Sequence, residues 1–340
     1  MATLKDIAKE ANVSVMTVSN VIHNRTEKVS LETIEKVQSI IKKYNYTPNM
    51  NARSLVNRKS KLVAVVFFNS SESNDGTFKD PFNTELMAGI EEVLKKKEFY
   101  LLVQTVQTIK EIELIISKWN VDSVIIIGML PQDVRQVEEK IEKPIVLIDT
   151  YYQTQKNHIY FVNSDDAQGA RLATEHLIQL GHTDIGFISY GGLNAGGVVE
   201  KRYKSFYKTM TENNLIVNEE TVLIYQNQFE SLEKFCDRLI EKERNFSALV
   251  FAADIIALEV MQVLFDRGFK VPDDLSIIGF DDIYATSIVR PKLTTVRQEI
   301  HLKGNKAAEV IVQLIDGSKP EQICTMPVSL IIRQSTKNNN

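Results

Sequence analysis

The stretch TLKDIAKEANVSVMTVSNVIHN, residues 3–24, decides how the chain begins. Thr3 and Asp6 stand at the spacing of a capping box, in which each side chain bonds the other's backbone N–H. Leu4, Ile7, Ala8 and Ala11 then recur at the spacing of one helix face. Asn12 and Val13 break that pattern, and Ser14 is suited to cap a second helix. At about 100° per residue, Val18, Val21 and Ile22 share one face of it. Met16, Asn20 and His23 take the opposite face, with Val15 and Ser19 at its borders. Ser30 caps a third helix, whose Ile34, Val37, Ile41 and Tyr44 complete a small core. Helix, tight turn, helix and bracing helix is the helix-turn-helix plan, in which the second helix enters the major groove. Val15, Met16 and Asn20 are then turned towards base edges. Asn bonds N7 and N6 of adenine together, and Val or Met touches a thymine methyl. The competing reading of the same pattern is a three-helix miniature domain with a protein partner.

Charge agrees with the nucleic-acid reading. Residues 1–60 carry seven Lys and three Arg against five acids, a net of +5 within a chain of net −4. A small basic head on an acidic body fits phosphate contact by the head. In TPNMNARSLVNRKS, residues 47–60, Thr47 and Pro48 stop the third helix. Ala52, Leu55 and Val56 follow at helical spacing, a stripe too short to hold a helix alone in water. Paired with its symmetry mate on DNA it can fold, with Leu55 as a minor-groove wedge.

From residue 62 the pattern changes. LVAVVFF, SVIIIG, PIVLID, DIGFIS, SALVFAA and SIIGF are apolar at nearly every position, as parallel strands buried on both faces require. They alternate with amphipathic segments at 83–97, 165–180 and 254–268, which gives βαβ units. Ligands of such sheets lie beyond the carboxyl ends of the strands, where Asp149, Asp254 and Asp281 stand. Each acid alone is as readily a helix N-cap; together with Arg202 they suit a cleft that hydrogen-bonds a small polar ligand. Phe82, Tyr151, Tyr190 and Tyr284 are candidate flat faces for a sugar or base ring. GGLNAGG, residues 191–197, lacks both the P-loop Lys and a GxGxxG after a strand, so it reads as a cleft-edge loop.

The segments TLKDIAKEANVSVMTVSNVIHN and VSLETIEKVQSIIKKYNYTPNMNARSL resemble the head and hinge of the LacI/GalR family of bacterial repressors. LATEHLIQLGHTDIGFI, VPDDLSIIGFDD and RPKLTTVRQ extend the resemblance through nearly the whole chain. It implies an all-α helix-turn-helix head on a periplasmic-binding-protein-like α/β body of two doubly wound parallel-sheet lobes. The domains expected are a head at 1–46, a hinge helix and linker at 47–60, and an effector-binding and dimerisation body at 61–340. Lobe 1 is expected at about 61–161 and 289–324, and lobe 2 at about 162–288 and 325–335. The DNA-contacting set expected is Thr3, Ser14, Val15, Met16, Thr17, Ser19, Asn20, His23, Ser30, Asn49, Ala52 and Leu55. The effector set is Phe82, Asn83, Asp149, Tyr190, Arg202, Asp254 and Asp281. Asn20 stands where most relatives have Arg, so the operator is expected to depart from the common half-site there, with adenine the first guess. Ala253 and Ser205 also depart from the Asn and Gly of many relatives, which bears on the ligand's identity.

The partners implied are double-stranded DNA with a pseudo-palindromic operator, a second copy of the chain, and a small effector, a sugar or sugar phosphate. The alternative is a catabolite-control type of regulator with a phosphorylated carrier protein as corepressor, contacted through Arg290. The polar end QSTKNNN lacks the leucine heptads that make some relatives tetramers, which favours a homodimer. Cys236 and Cys324 form no CxxC pattern, and five histidines show no metal-ligand spacing, so neither metal nor cofactor is expected. No catalytic spacing of Ser, His or paired acids emerges, which disfavours an enzyme. The absence of a membrane-length apolar run or leader leads to the expectation of a cytoplasmic protein with no membrane partner, and disfavours a transport binding protein.

Overall fold

A computed structural model describes residues 2–22, 24–46, 59–69, 77–226, 229–240 and 246–339. The chain divides into two compact units, residues 1–60 and 61–340.

The first unit holds α1 (Leu4–Ala11), α2 (Val15–Ile22) and α3 (Leu31–Lys43). The capping box forms as its spacing requires: Thr3 N donates to Asp6 Oδ2 at 2.8 Å, and Asp6 N donates to Thr3 Oγ1 at 3.3 Å. Asn12 ends α1 in the left-handed conformation, φ 57°, which a short amide side chain tolerates and which permits the tight turn. Ser14 caps α2 by accepting from Thr17 N at 3.0 Å, and Ser30 caps α3 by accepting from Thr33 N at 3.3 Å. Ile7, Ala8, Ala11, Val18, Val21, Val37 and Ile40 form the core, with Ile22, Ile34 and Ile41 packed against it. Tyr44 is not in that core. It is the C-cap of α3, half exposed, and its hydroxyl donates to Glu10 Oε2 at 2.5 Å beside Lys43, so the phenol ties helix ends while Ile40 fills the interior.

The second unit has two six-stranded sheets. Its strands are β1 (Leu62–Phe68), β2 (Tyr100–Val106), β3 (Ser123–Ile127), β4 (Ile145–Ile148), β5 (Ile159–Ser164) and β6 (Ile185–Ser189). They continue with β7 (Val222–Ile224), β8 (Ala248–Phe251), β9 (Ser276–Asp281), β10 (Thr294–Gln298), β11 (Ile323–Met326) and β12 (Val328–Ile331). Its main helices are α4 (Pro81–Lys96), α5 (Ile109–Trp119), α6 (Pro131–Lys140) and α7 (Asp166–Gln179). The others are α8 (Val198–Glu212), α9 (Leu232–Leu239), α10 (Asp254–Asp266) and α11 (Ile300–Ile315).

Sheet one runs β11-β5-β4-β3-β1-β2, all parallel, and sheet two runs β12-β10-β9-β8-β6-β7. Burial on both faces is visible within β1: Val63, Val65 and Phe67 join the core under α4 and α11, while Ala64, Val66 and Phe68 join the core under α5 and α6. Sheet two is covered likewise, by α9 and α10 on one face and α7 and α8 on the other.

One expectation is corrected. The return to the first lobe does not begin near 289: Thr294–Gln298 pairs parallel with β9 and antiparallel with β12, so it belongs to the second sheet and the chain crosses back at Gln298. The two parallel-sheet lobes are as expected, with one antiparallel edge strand: β12 follows β11 after one residue, Pro327, and enters sheet two antiparallel to β10. The chain thus passes between lobes after Ser164, after Gln298 and at Pro327. Among the described residues no helix is long and apolar enough to cross a membrane.

Candidate functional site

In the first unit, α2 buries Val18 and Val21 and exposes Met16 (74%) and Val15 (41%). Thr17, Ser19 and Asn20 are partly exposed beside them, and Ser14, Thr3 and Ser30 lie at helix N-caps with their hydroxyls engaged locally. An apolar tip flanked by an amide and hydroxyls, with no acid on the helix, is a surface suited to base edges. His23, Asn49, Ala52 and Leu55 lie outside the described residues.

In the second unit a cleft of about 650 Å³ opens at the carboxyl ends of both sets of strands. Phe82, Asn83, Asp149, Tyr190, Arg202 and Asp281 line it, together with Asp80, Gln298 and the glycine-rich segment from Gly191 to Gly197. Asp149 follows β4 at φ 57° and Asp281 ends β9 at φ 125°. Left-handed backbone at a non-glycine residue costs about 1–3 kcal/mol and persists where the surroundings fix it, which is common at ligand sites. Both carboxylates are fixed. Lys303 Nζ lies 2.7 and 3.0 Å from the two oxygens of Asp149, and Gln298 Nε2 donates to Asp281 Oδ1 at 2.6 Å.

Arg202, on α8, is buried between two acids, with Nε 2.6 Å from Asp166 Oδ1 and Nη1 3.7 Å from Asp281 Oδ1. Nη1 also donates to the carbonyl of Ala252, and the guanidinium stacks 3.6 Å above the centre of the Phe280 ring. Burial works against its charge, but Asp166 and Asp281 outweigh it and keep the group protonated. Burial pushes the carboxyls of Asp149 and Asp281 up, against the pull of Lys303 and Arg202 respectively.

Asp254 is not part of the cleft. Its carboxylate is fully buried at the start of α10, where it accepts from Thr295 Oγ1 at 2.6 Å and from Ile283 N at 3.1 Å. It is a strut between β10 and the loop after β9, and burial raises its pKa to about 7. Two of the aromatic candidates also fall outside the lining. Tyr151 turns its hydroxyl onto Asp166 and onto the Ser164 carbonyl at 3.0 Å, and Tyr284 is 75% exposed. The Arg290 guanidinium folds back onto the carbonyls of Ile288 and Val289, at 3.1 and 2.9 Å. Sequence reading missed Asp80, Asp166, Gln298 and Lys303. Asp80 caps α4 by accepting from Phe82 N at 2.9 Å and faces the cleft. The other three sit in helices or strand ends whose local pattern gives no sign that they converge. Among the described residues no group of three or more His, Cys, Asp or Glu is placed to hold a metal ion.

Comparison with known proteins gives the same division. Residues 3–49 match the model of bacterial regulatory proteins of the lacI family, and residues 174–336 match that of periplasmic binding protein-like domains. The chain is 31% identical over 351 residues to the HTH-type transcriptional repressor PurR of Actinobacillus pleuropneumoniae serotype 3 (strain JL03), covering 100% of both. It superposes on the lac repressor dimer bound to operator and the anti-inducer ONPF with TM-score 0.84 and 26% identity, over 99% of each chain. It superposes on the complex of the transcriptional regulator CelR with cellobiose with TM-score 0.71 and 26% identity, over 98% of this chain and 100% of that one. The exposed face of α2, the two-lobed body and matches along the whole length agree: the chain belongs to the lacI family of bacterial regulatory proteins, which are DNA-binding transcriptional regulators and not enzymes.

Proposed function

We propose that this repressor binds a pseudo-palindromic duplex as a homodimer and is controlled by a neutral carbohydrate held between the lobes of the body. The observation that carries the effector reading is the pair Asp149 and Asp281, on left-handed backbone at strand ends of opposite sheets and facing one cleft. Carboxyl oxygens accept from hydroxyls, so a polyol bridging the lobes can bond both groups. Phe82 and Tyr190 supply apolar faces for a ring. The likeness to a regulator solved with cellobiose supports a sugar.

Charge favours the neutral sugar over its phosphate. Among the lining residues three acids, Asp80, Asp149 and Asp281, outnumber one cation, Arg202, and both Arg202 and the Lys303 behind Asp149 are already paired with acids. The N-terminus of α8 at Gly197 would attract an anion, but Glu200 in its first turn already accepts from Gly196 N at 2.5 Å. Dimerisation and the operator rest on family membership and on the likeness to the lac repressor dimer on its operator.

The test is a thermal-shift series on the full-length protein with neutral mono- and disaccharides, cellobiose among them, and the phosphate esters of each. A neutral sugar at 100 times its Kd should add about 2.7 kcal/mol of stability. Asp281→Asn should abolish that shift. Stabilisation by a phosphate ester and by none of the neutral sugars would contradict the charge argument.

A further inference from the structure

Lys303 has a side chain with no exposed surface, in the first turn of α11, and none of its surroundings belong to solvent. An ammonium group has three N–H donors. All three are accounted for: Nζ reaches Asp149 Oδ1 at 2.7 Å, Asp149 Oδ2 at 3.0 Å and Gln298 Oε1 at 2.5 Å, and it lies 5.3 Å from the centre of the Phe82 ring. Gln298 is itself buried, at the second crossing between lobes. Its Oε1 accepts also from Ser164 Oγ at 2.6 Å, and Ser164 stands at the first crossing. With its oxygen held by two donors, the amide must turn Nε2 away from them, and Nε2 meets Asp281 Oδ1 at 2.6 Å.

We propose that Lys303 is a positioning residue of the effector cleft: it keeps Asp149 an acceptor and, by fixing the Gln298 amide, links that carboxylate in lobe one to Asp281 in lobe two. A buried ion pair is seldom the most stable filling of a core, since apolar residues of the same volume serve as well or better. Its worth here lies in what it imposes on the cleft. Among the described residues the charged and titratable groups acting most strongly on Asp149 are Lys303 from α11, Asp166 from α7 and Arg202 from α8, with Tyr151 from the segment after β4 beside them. Without Lys303 the nearest cation is gone and Asp166 opposes the charge. Burial then favours the protonated form of Asp149 more strongly, in which a hydrogen-bond donor replaces an acceptor where a ligand hydroxyl would donate. The Gln298 amide at the same time loses one of the two donors that orient it, leaving Ser164 alone. The consequence for effector choice rests on the carbohydrate reading, but the role of Lys303 can be measured with no effector present, so the two fail separately.

Full-length protein labelled with carbon-13 at the aspartate side-chain carboxyl gives the direct readout, with the Asp149 signal identified by its loss in Asp149→Asn. That signal should change between its ionised and protonated positions at a higher pH in Lys303→Met than in the native protein. Equal midpoints in the two proteins overturn the proposal. Thermal melts supply the second arm. Lys303→Met should lower Tm on the order of 5–10 °C, as expected when one partner of a buried pair is lost, and adding Asp149→Asn should restore most of the loss. A double variant as unstable as Lys303→Met makes the lysine mere core filling and overturns it. If Lys303→Met fails to fold, recovery of folding in the double variant supports the proposal and failure to recover overturns it.

Discussion

Asp149 and Asp281 stand on left-handed backbone at strand ends, whereas Asp254 is the first residue of α10, and this separates two cleft-facing acids from a structural one. In sequence all three follow an apolar run and look alike; backbone φ, which decides where each carboxylate points, leaves no local signature. Asp254 makes a prediction of its own. Its folded pKa, raised to about 7, exceeds the ordinary 3.8, so the folded state holds the extra proton between those values. Stability therefore falls as pH rises from about 4 to about 7, and the penalty is complete above that. Asp254→Asn mimics the protonated form and should flatten this part of the profile. The difference between the two proteins should change on the order of 3–4 kcal/mol from pH 4 to pH 8 in denaturant titrations. A constant difference would show that the carboxyl does not titrate there. On the DNA face, Asn20→Ala should weaken a selected operator by about 1–3 kcal/mol at one base position and relax the preference there; equal loss at every sequence would make Asn20 a phosphate contact instead. Lys303 was hidden for a different reason: a lysine inside an amphipathic helix ordinarily belongs to its wet face.

The helices α4 and α11 pack side chains into one core and also bring backbone against backbone at two glycines. A Cβ on Gly89 would lie 2.1 Å from the His301 carbonyl oxygen, and one on Gly304 would lie 2.2 Å from that of Leu86. Such contacts cannot be relieved by a rotamer, so the helices must separate. Gly304→Ala should cost about 1–3 kcal/mol or more, read as a lowered Tm, whereas Gly191→Ala, with open space around its Cβ position, should stay within about 0.5 kcal/mol. Equal melting of the two variants would mean that α4 and α11 shift freely. Most elements were legible because their causes are local. Caps at Thr3, Ser14 and Ser30 mark the helix starts, and runs apolar at every position mark strands buried twice. What escaped was partnership. TTVRQ mixes polar and apolar residues and carries no mark of its sheet, so only the hydrogen-bond ladder to β9 and β12 places it in lobe two and moves the crossing to Gln298.

At the scale of the whole molecule, a basic head of net +5 stands against a body of net −9, and the helix-turn-helix and two-lobed plan could be read from ordered motifs spanning the chain. The cleft was legible as a place, because ligands of such sheets lie at strand ends, but its wiring was not, because Asp149, Gln298 and Lys303 are distant in sequence and meet only on folding. Phosphate contact by the head predicts that operator affinity falls steeply with salt, each neutralised phosphate adding about −0.9 to the log–log slope. A flat plot would remove the electrostatic part of the reading. Control by an effector demands more, since DNA and sugar must each favour one arrangement of the same protein and shift each other's binding by the same factor. The decisive measurement is the affinity of the full-length protein for the palindromic duplex it selects from a random library, with and without a saturating concentration of the neutral sugar that raises its Tm. The expected result is a change of about 5- to 150-fold, lost in Asp281→Asn. Operator affinity unchanged by a sugar that demonstrably fills the cleft would contradict allosteric control by that site.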